Sequence, residues 1–108
     1  MRFSVCIPTL NRAEKLIRAL DSFQVQTYKE PFEILVCDNA CNQDVCKMIL
    51  KYNETARVQV KYTSQLGGIQ QVRSRLVLES IGDLIVMIDD DESACAELLQ
   101  VTTVLIKL

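Results

Sequence analysis

Four acidic residues in a row, Asp89, Asp90, Asp91 and Glu92, follow directly on an apolar run at 84–88. A short Ile/Val-rich run after a Gly82-Asp83 turn reads as a fully buried strand. The acids then sit where that strand surfaces. Like charges about 5 Å apart repel by roughly 0.8 kcal/mol in water and roughly 3 kcal/mol at an effective dielectric of about 20. A bound divalent cation would offset that repulsion, and hard oxygen ligands suit Mg²⁺, Mn²⁺ or Ca²⁺. The bland reading is a solvated loop running into an acidic helix N-terminus, which the macrodipole favours. That accounts for Asp91 and Glu92. It does not account for Asp89, Asp90 and Asp91 crowding together, which points to a metal or polyol site.

Three further features could do chemistry. Asp38, followed by Asn39, stands at the end of the apolar run 32–37. Such a pair is either a turn former or an acceptor for a sugar hydroxyl or a base N–H. Gly67-Gly68 precedes a helical pattern but fits neither phosphate-loop spacing, so a plain helix start is the simpler reading. Arg73 and Arg75 form a solvated basic face or neutralise a diphosphate.

The elements that position these residues follow from hydrophobic spacing. Strands are expected at 3–7, ended by Pro8, and at 32–37, 58–62 and 84–88. Helices are expected after an Asn11/Glu14 capping box, burying Ala13, Leu16, Ile17, Leu20 and Phe23, then at 43–52, 69–80 and 92–105. Strands alternating with helices imply an α/β fold: a doubly wound, mainly parallel sheet of about four strands with helices on both faces. In such folds ligands bind beyond the carboxyl ends of the strands, where strand order reverses. The polar residues 8–12, Asp38-Asn39 and 89–92 all fall on that edge.

Bulk properties exclude several classes. The chain has 108 residues, enough for a single domain spanning 1–108. Its net charge of −2 gives no electrostatic case for nucleic acid. No apolar stretch reaches the roughly 20 residues of a membrane span, and the N-terminus does not read as a signal peptide. There is no histidine, which removes the Ser-His and Cys-His pairs and every His-containing zinc site. The five cysteines contain no Cys-x-x-Cys, and Cys6 and Cys37 fall in expected strands as small hydrophobes. Cys41 and Cys46 are read as plain thiols rather than a metal or redox pair. A cytoplasmic location suits free thiols.

Together, residues 3–12, Glu33 to Asn39, Gly67-Gly68 with Val72-Arg73, and the block from Gly82 to Asp91 resemble glycosyltransferase family 2. The resemblance implies the nucleotide-diphospho-sugar transferase fold. It places Pro8, Thr9, Asn11 and Arg12 on a nucleotide-binding loop, Asp38 and Asn39 near the base, and Gly68 and Arg73 against the nucleotide. Asp89-x-Asp91 matches the family's Asp-x-Asp motif. Asp91, with Asp89, would ligate a divalent metal, Mn or Mg, while Asp89 or Asp90 holds the ribose. Departures are 41–44, where a Ser/Thr-Asp pair is usual, and Ser74, where Asn is usual. The implied reaction is transfer of a sugar from a nucleoside-diphosphate sugar to an acceptor hydroxyl of a saccharide, lipid or protein. Only the donor-binding half is matched, and no residue here takes the role of general base.

Two other readings remain. One is a nucleotide-sugar-binding fragment without turnover. The other is a receiver-like signalling domain that binds Mg²⁺, which would need its acids split between two strand ends and a later Lys. The expected open edge beside the last strand also predicts self-association.

Overall fold

The computed structural model describes residues 2–10, 12–40 and 43–107. Among these, eight elements alternate strictly: β1 (Phe3–Thr9), α1 (Ala13–Gln24), β2 (Phe32–Asp38), α2 (Asp44–Tyr52), β3 (Val60–Ser64), α3 (Ile69–Glu79), β4 (Leu84–Met87) and α4 (Leu98–Lys107). The four strands form one parallel sheet in the order β3-β2-β1-β4. Strand order therefore reverses at β1, and the expected doubly wound α/β architecture is the one observed.

The sheet has two apolar faces because side chains alternate along each strand. Phe3, Val5, Ile7, Ile34 and Val36 pack on Leu16, Leu20 and Phe23 of α1, Val45 and Ile49 of α2, and Leu99 of α4. Cys6, Leu35 and Cys37 pack on Val72 and Leu76 of α3. Burial pushes the Cys6 thiol up to about 12 and the Cys37 thiol up to about 11, so both behave as small hydrophobes.

Several elements depart from the sequence expectation. Pro8 does not end β1, which runs on to Thr9. The Cys6 carbonyl accepts from the Ile88 N–H (3.0 Å), so even-numbered residues of β1 turn their backbone polar groups toward β4. The β1–β4 pairing stops at Cys6–Met87. Pro8 points to the same side beyond that point, where no ladder bond is lost. Strand β3 begins at Val60 rather than Val58. The Gln24 side-chain amide clamps Val58, accepting from its N–H and donating to its carbonyl, both at 2.8 Å. Asn53 makes the same two bonds to Val60, also at 2.8 Å.

Helix α4 begins at Leu98, six residues later than expected. The preceding backbone is committed elsewhere: Ala94 N–H to Ser22 Oγ (3.1 Å), Cys95 carbonyl to the Gln26 amide (2.8 Å) and Ala96 carbonyl to the Thr27 N–H (2.8 Å). Of the expected capping box, Asn11 lies outside the described residues, and Arg12 precedes α1 without a side-chain cap. Ile17 is 40% exposed rather than inward. Helices α2 and α3 differ from expectation by one residue each.

Strand β4 is not fully buried. It is an edge strand, and Ile85 and Met87 are 41% and 37% exposed because α3 packs mainly on β1 and β2. At the opposite end of the sheet from the acids, Glu33 accepts from Ser4 Oγ, the Ile81 N–H (2.8 Å) and Lys61 Nζ (3.0 Å). Ser4 Oγ accepts in turn from the Gly82 N–H (2.8 Å). Gly82 is required there, since a Cβ would come within 2.7 Å of the Ser4 backbone nitrogen. This network fastens the α3–β4 turn onto β1 and β2.

Candidate functional site

The β1–β4 register ends at Cys6–Met87, and the candidate residues follow at the carboxyl ends of the strands. Side-chain alternation sorts the acidic run between the two faces. Asp90 follows Leu84, Val86 and Ile88, the residues of β4 turned toward the α1 face. Asp89 follows the exposed Ile85 and Met87 toward α3. Contiguous carboxylates therefore do not crowd at one buried mouth, and the repulsion argument for a cation loses its premise.

Each acid has its own surroundings. The Asp90 side chain is fully buried. It accepts from Thr9 Oγ1 (2.7 Å), Arg12 Nε (3.1 Å) and Arg12 Nη2 (2.6 Å). This fork neutralises the charge and ties the loop after β1 to the loop after β4. Asp89 is 53% exposed and meets Arg73 of α3 at 3.5 Å, a surface pair worth little. Its N–H is held by Glu92 Oε1 (3.1 Å). Asp91 is exposed and makes no hydrogen bond or ion pair among the described residues. Beside it lies a shallow hollow lined by Glu14, Lys15 and Arg18 of α1.

Asp38 ends β2 directly beside Thr9, its register partner on β1. It is 2% exposed. Its Oδ1 accepts from the Tyr62 hydroxyl (2.9 Å) and the Ala40 N–H (3.1 Å). Ala40 reaches that bond with φ of 62°, the left-handed region disfavoured for a residue with a Cβ. The Asp38 carbonyl accepts from the Gln65 N–H (2.9 Å). Tyr62 is a residue that the spacing argument passed over. Register would have found it, since Tyr62 lies opposite Val36 and so on the same face as Asp38, one step below it. Burial and the Asp38 carboxylate both push its hydroxyl pKa upward, so it stays a donor through the neutral range.

The remaining expected residues sit nearby. Pro8 is buried in β1 next to Cys37, Asn39 is half-buried, and Gly68 opens α3 with its N–H held by Gln71 Oε1 (3.1 Å). The structure thus brings Thr9, Arg12 and Asp90 into direct contact, and Arg73 with Asp89. Asn11 and Cys41 lie outside the described residues.

Could these groups hold a divalent ion? Asp91 and Asp89 offer exposed hard oxygens. Among the described residues no three or more acid, thiol or imidazole side chains gather to form a cage. That donor set fits an ion bound through one or two carboxylates with the other positions filled by phosphate oxygens and water.

The model for glycosyl transferase family 2 matches residues 4–102. The chain belongs to glycosyl transferase family 2. This family 2 chain is 28% identical over 98 residues to YfnE of Bacillus subtilis, named as an uncharacterized glycosyltransferase; the match takes in 91% of this chain and 25% of YfnE. The crystal structure of Staphylococcus aureus TarS 1–349 in complex with UDP superposes with a TM-score of 0.81 and 26% identity, over 99% of this chain and 32% of that one. A mannosyltransferase of Pyrobaculum calidifontis, solved with GDP-Man and Mn²⁺, gives a TM-score of 0.73 at 21% identity, over 84% of this chain and 28% of its own. That last likeness is one of fold. The chain spans about a quarter of YfnE's length. No helix among the described residues is long and apolar enough to cross a membrane.

Proposed function

We propose that residues 1–108 form the nucleotide-sugar-binding part of a glycosyltransferase that moves a sugar from a nucleoside-diphosphate donor to an acceptor hydroxyl. The observation that carries this reading is the convergence of three polar groupings on the carboxyl edge of the sheet. They are Asp38 with its fixed carboxylate, the Thr9–Arg12–Asp90 fork, and the loosely held Asp89, Asp91 and Arg73. They stand at the carboxyl ends of β2, β1 and β4, beside the point where strand order reverses and doubly wound sheets take their ligands.

Roles follow from what each group has left to offer. Asp38 accepts an N–H of the base, with Asn39 beside it. Pro8, Thr9, Asn11 and Arg12 line the nucleotide, and Thr9 with Arg12 also shapes the acidic loop by holding Asp90. Gly68, at the start of α3, would face the phosphates. Arg73 can leave its weak pair with Asp89 to face a diphosphate, which frees Asp89 for the ribose or the metal. Asp91 and Asp89 would hold Mn²⁺ or Mg²⁺. That ion supplies charge neutralisation of the leaving diphosphate. The UDP bound to TarS and the Mn²⁺ with GDP-Man in the mannosyltransferase support this reading. A cytoplasmic location, where nucleotide sugars and free thiols coexist, belongs to the same proposal.

Donor binding without transfer is the second reading. Calorimetric titration with UDP and GDP, with and without Mn²⁺, tests the shared donor site. Saturable, metal-strengthened binding is expected, and its absence with both nucleotides would sink both readings. Sugar release or transfer above background then separates enzyme from binding module. Self-association through the β4 edge is the remaining expectation, and sedimentation showing a monomer at high concentration would remove it.

A further inference from the structure

Asp38 carries two hydrogen bonds on one oxygen and none on the other. The Tyr62 hydroxyl and the Ala40 N–H both reach Oδ1, while Oδ2 takes no bond from the described residues. No buried side-chain oxygen among the described residues lacks a partner, so Oδ2 is the part of this carboxylate that meets solvent. A carboxylate on a strand end can rotate about χ2, and that torsion is broad. Two donors on one oxygen, from different elements, remove the freedom. Ala40 holds its place at some conformational cost, with φ of 62°. Tyr62 is anchored by its ring against the α1-face core.

We propose that Tyr62 is a positioning residue that locks the Asp38 carboxylate so that Oδ2 alone is presented to the nucleobase. This rests on the donor-site reading above. The chemical consequence is a preference for a ring N–H donor, present at N3 of uracil and N1 of guanine. Cytosine N3 and adenine N1 are acceptors, and their lone pairs would face a fixed carboxylate oxygen. If the carboxylate could turn freely, it would find amino groups on those bases and discriminate less. Tyr62 therefore acts through Asp38 on selectivity, with no contact to ligand required.

Calorimetric titration of the intact chain with UDP, GDP, CDP and ADP, alongside N3-methyl-UDP, tests it. N3-methylation removes the N–H that Oδ2 would accept. Tyr62→Phe keeps the ring packing and removes the hydroxyl. It should weaken binding of UDP or GDP by about 5- to 10-fold, within the range of one ordinary hydrogen bond. Binding of N3-methyl-UDP should stay unchanged and binding of CDP should not weaken, so selectivity falls. In an Asp38→Asn background the same change should add nothing. Equal losses for UDP and N3-methyl-UDP would mean a merely structural role and overturn the inference, as would unchanged UDP affinity. Failure of the wild-type chain to bind any nucleoside diphosphate instead overturns the donor-site reading on which it rests. Thermal unfolding of Tyr62→Phe within a few degrees of wild type keeps the comparison between folded proteins.

Discussion

The two ends of the same sheet each hold carboxylates, and they leave them in different states. At the amino end, Glu33 receives Ser4, Lys61 and the Ile81 N–H. Burial raises its pKa, but those hydrogen bonds outweigh it and hold the carboxyl below its ordinary range. At the carboxyl end, Asp38 is bonded on one oxygen, Asp89 shares a 3.5 Å surface pair, and Asp91 has no partner among the described residues. Asp90 is the exception there, fully engaged by Thr9 and Arg12. A saturated carboxylate builds structure. One with a spare oxygen on the carboxyl edge of the sheet is equipped for a ligand.

Breaking the amino end should cost stability and nothing else. Glu33→Ala leaves three donors without their acceptor, one of them the buried Ser4 hydroxyl. A loss of about 3 kcal/mol is expected in urea unfolding, with nucleotide affinity of the folded fraction unchanged. Asp90→Ala mixes the two roles. It should cost about 2 kcal/mol by orphaning Thr9 and Arg12, and it should also weaken nucleotide binding by loosening the loop that carries Asp89 and Asp91. A Glu33→Ala protein that lost binding without losing stability would invert the comparison.

The same contrast predicts a pH dependence. The folded pKa of Glu33 is depressed from an ordinary value of 4.5. The unfolded chain therefore binds the proton more readily, and the stabilisation is fully present above about pH 4.5. It is lost as pH falls through the folded pKa. Wild type should lose more stability than Glu33→Ala between pH 5 and the acid limit of folding, as chemical unfolding at each pH would record. The smallest effect on stability belongs to Asp91→Asn, within about 0.5 kcal/mol for an exposed side chain. Its loss of Mn²⁺-strengthened nucleotide binding should nonetheless be near complete.

The sequence made the strand–helix alternation legible because apolar runs at 3–7, 32–37 and 84–88 are short and bounded by turn residues. It misjudged boundaries wherever a distant side-chain amide captured backbone groups. Gln24 does this to Val58, Asn53 to Val60 and Gln26 to Cys95, and local spacing holds no trace of such partners. Pro8 reads as a stop in the sequence, but a missing donor matters only where a neighbouring strand would pair with it. The acidic run stands out in the sequence, but its spacing along the chain overstates the mutual repulsion. Period-two alternation, already visible in residues 84–88, separates Asp89 from Asp90. Arg12 was assigned to the nucleotide loop, yet its bond with Asp90 spans 78 positions and needed the fold to appear. Glu33 is a lone charge inside an apolar run, which is itself a signal of a buried partner.

The most direct test is to record amide chemical shifts while UDP and Mg²⁺ are added to the intact chain. Perturbations should cluster at Thr9, Asp38 to Ala40, Gly68 and Asp89 to Asp91, and leave Ser4, Glu33, Lys61 and Gly82 unmoved. Shifts centred on the Glu33 end, or none at the carboxyl edge at saturating nucleotide, would contradict the account.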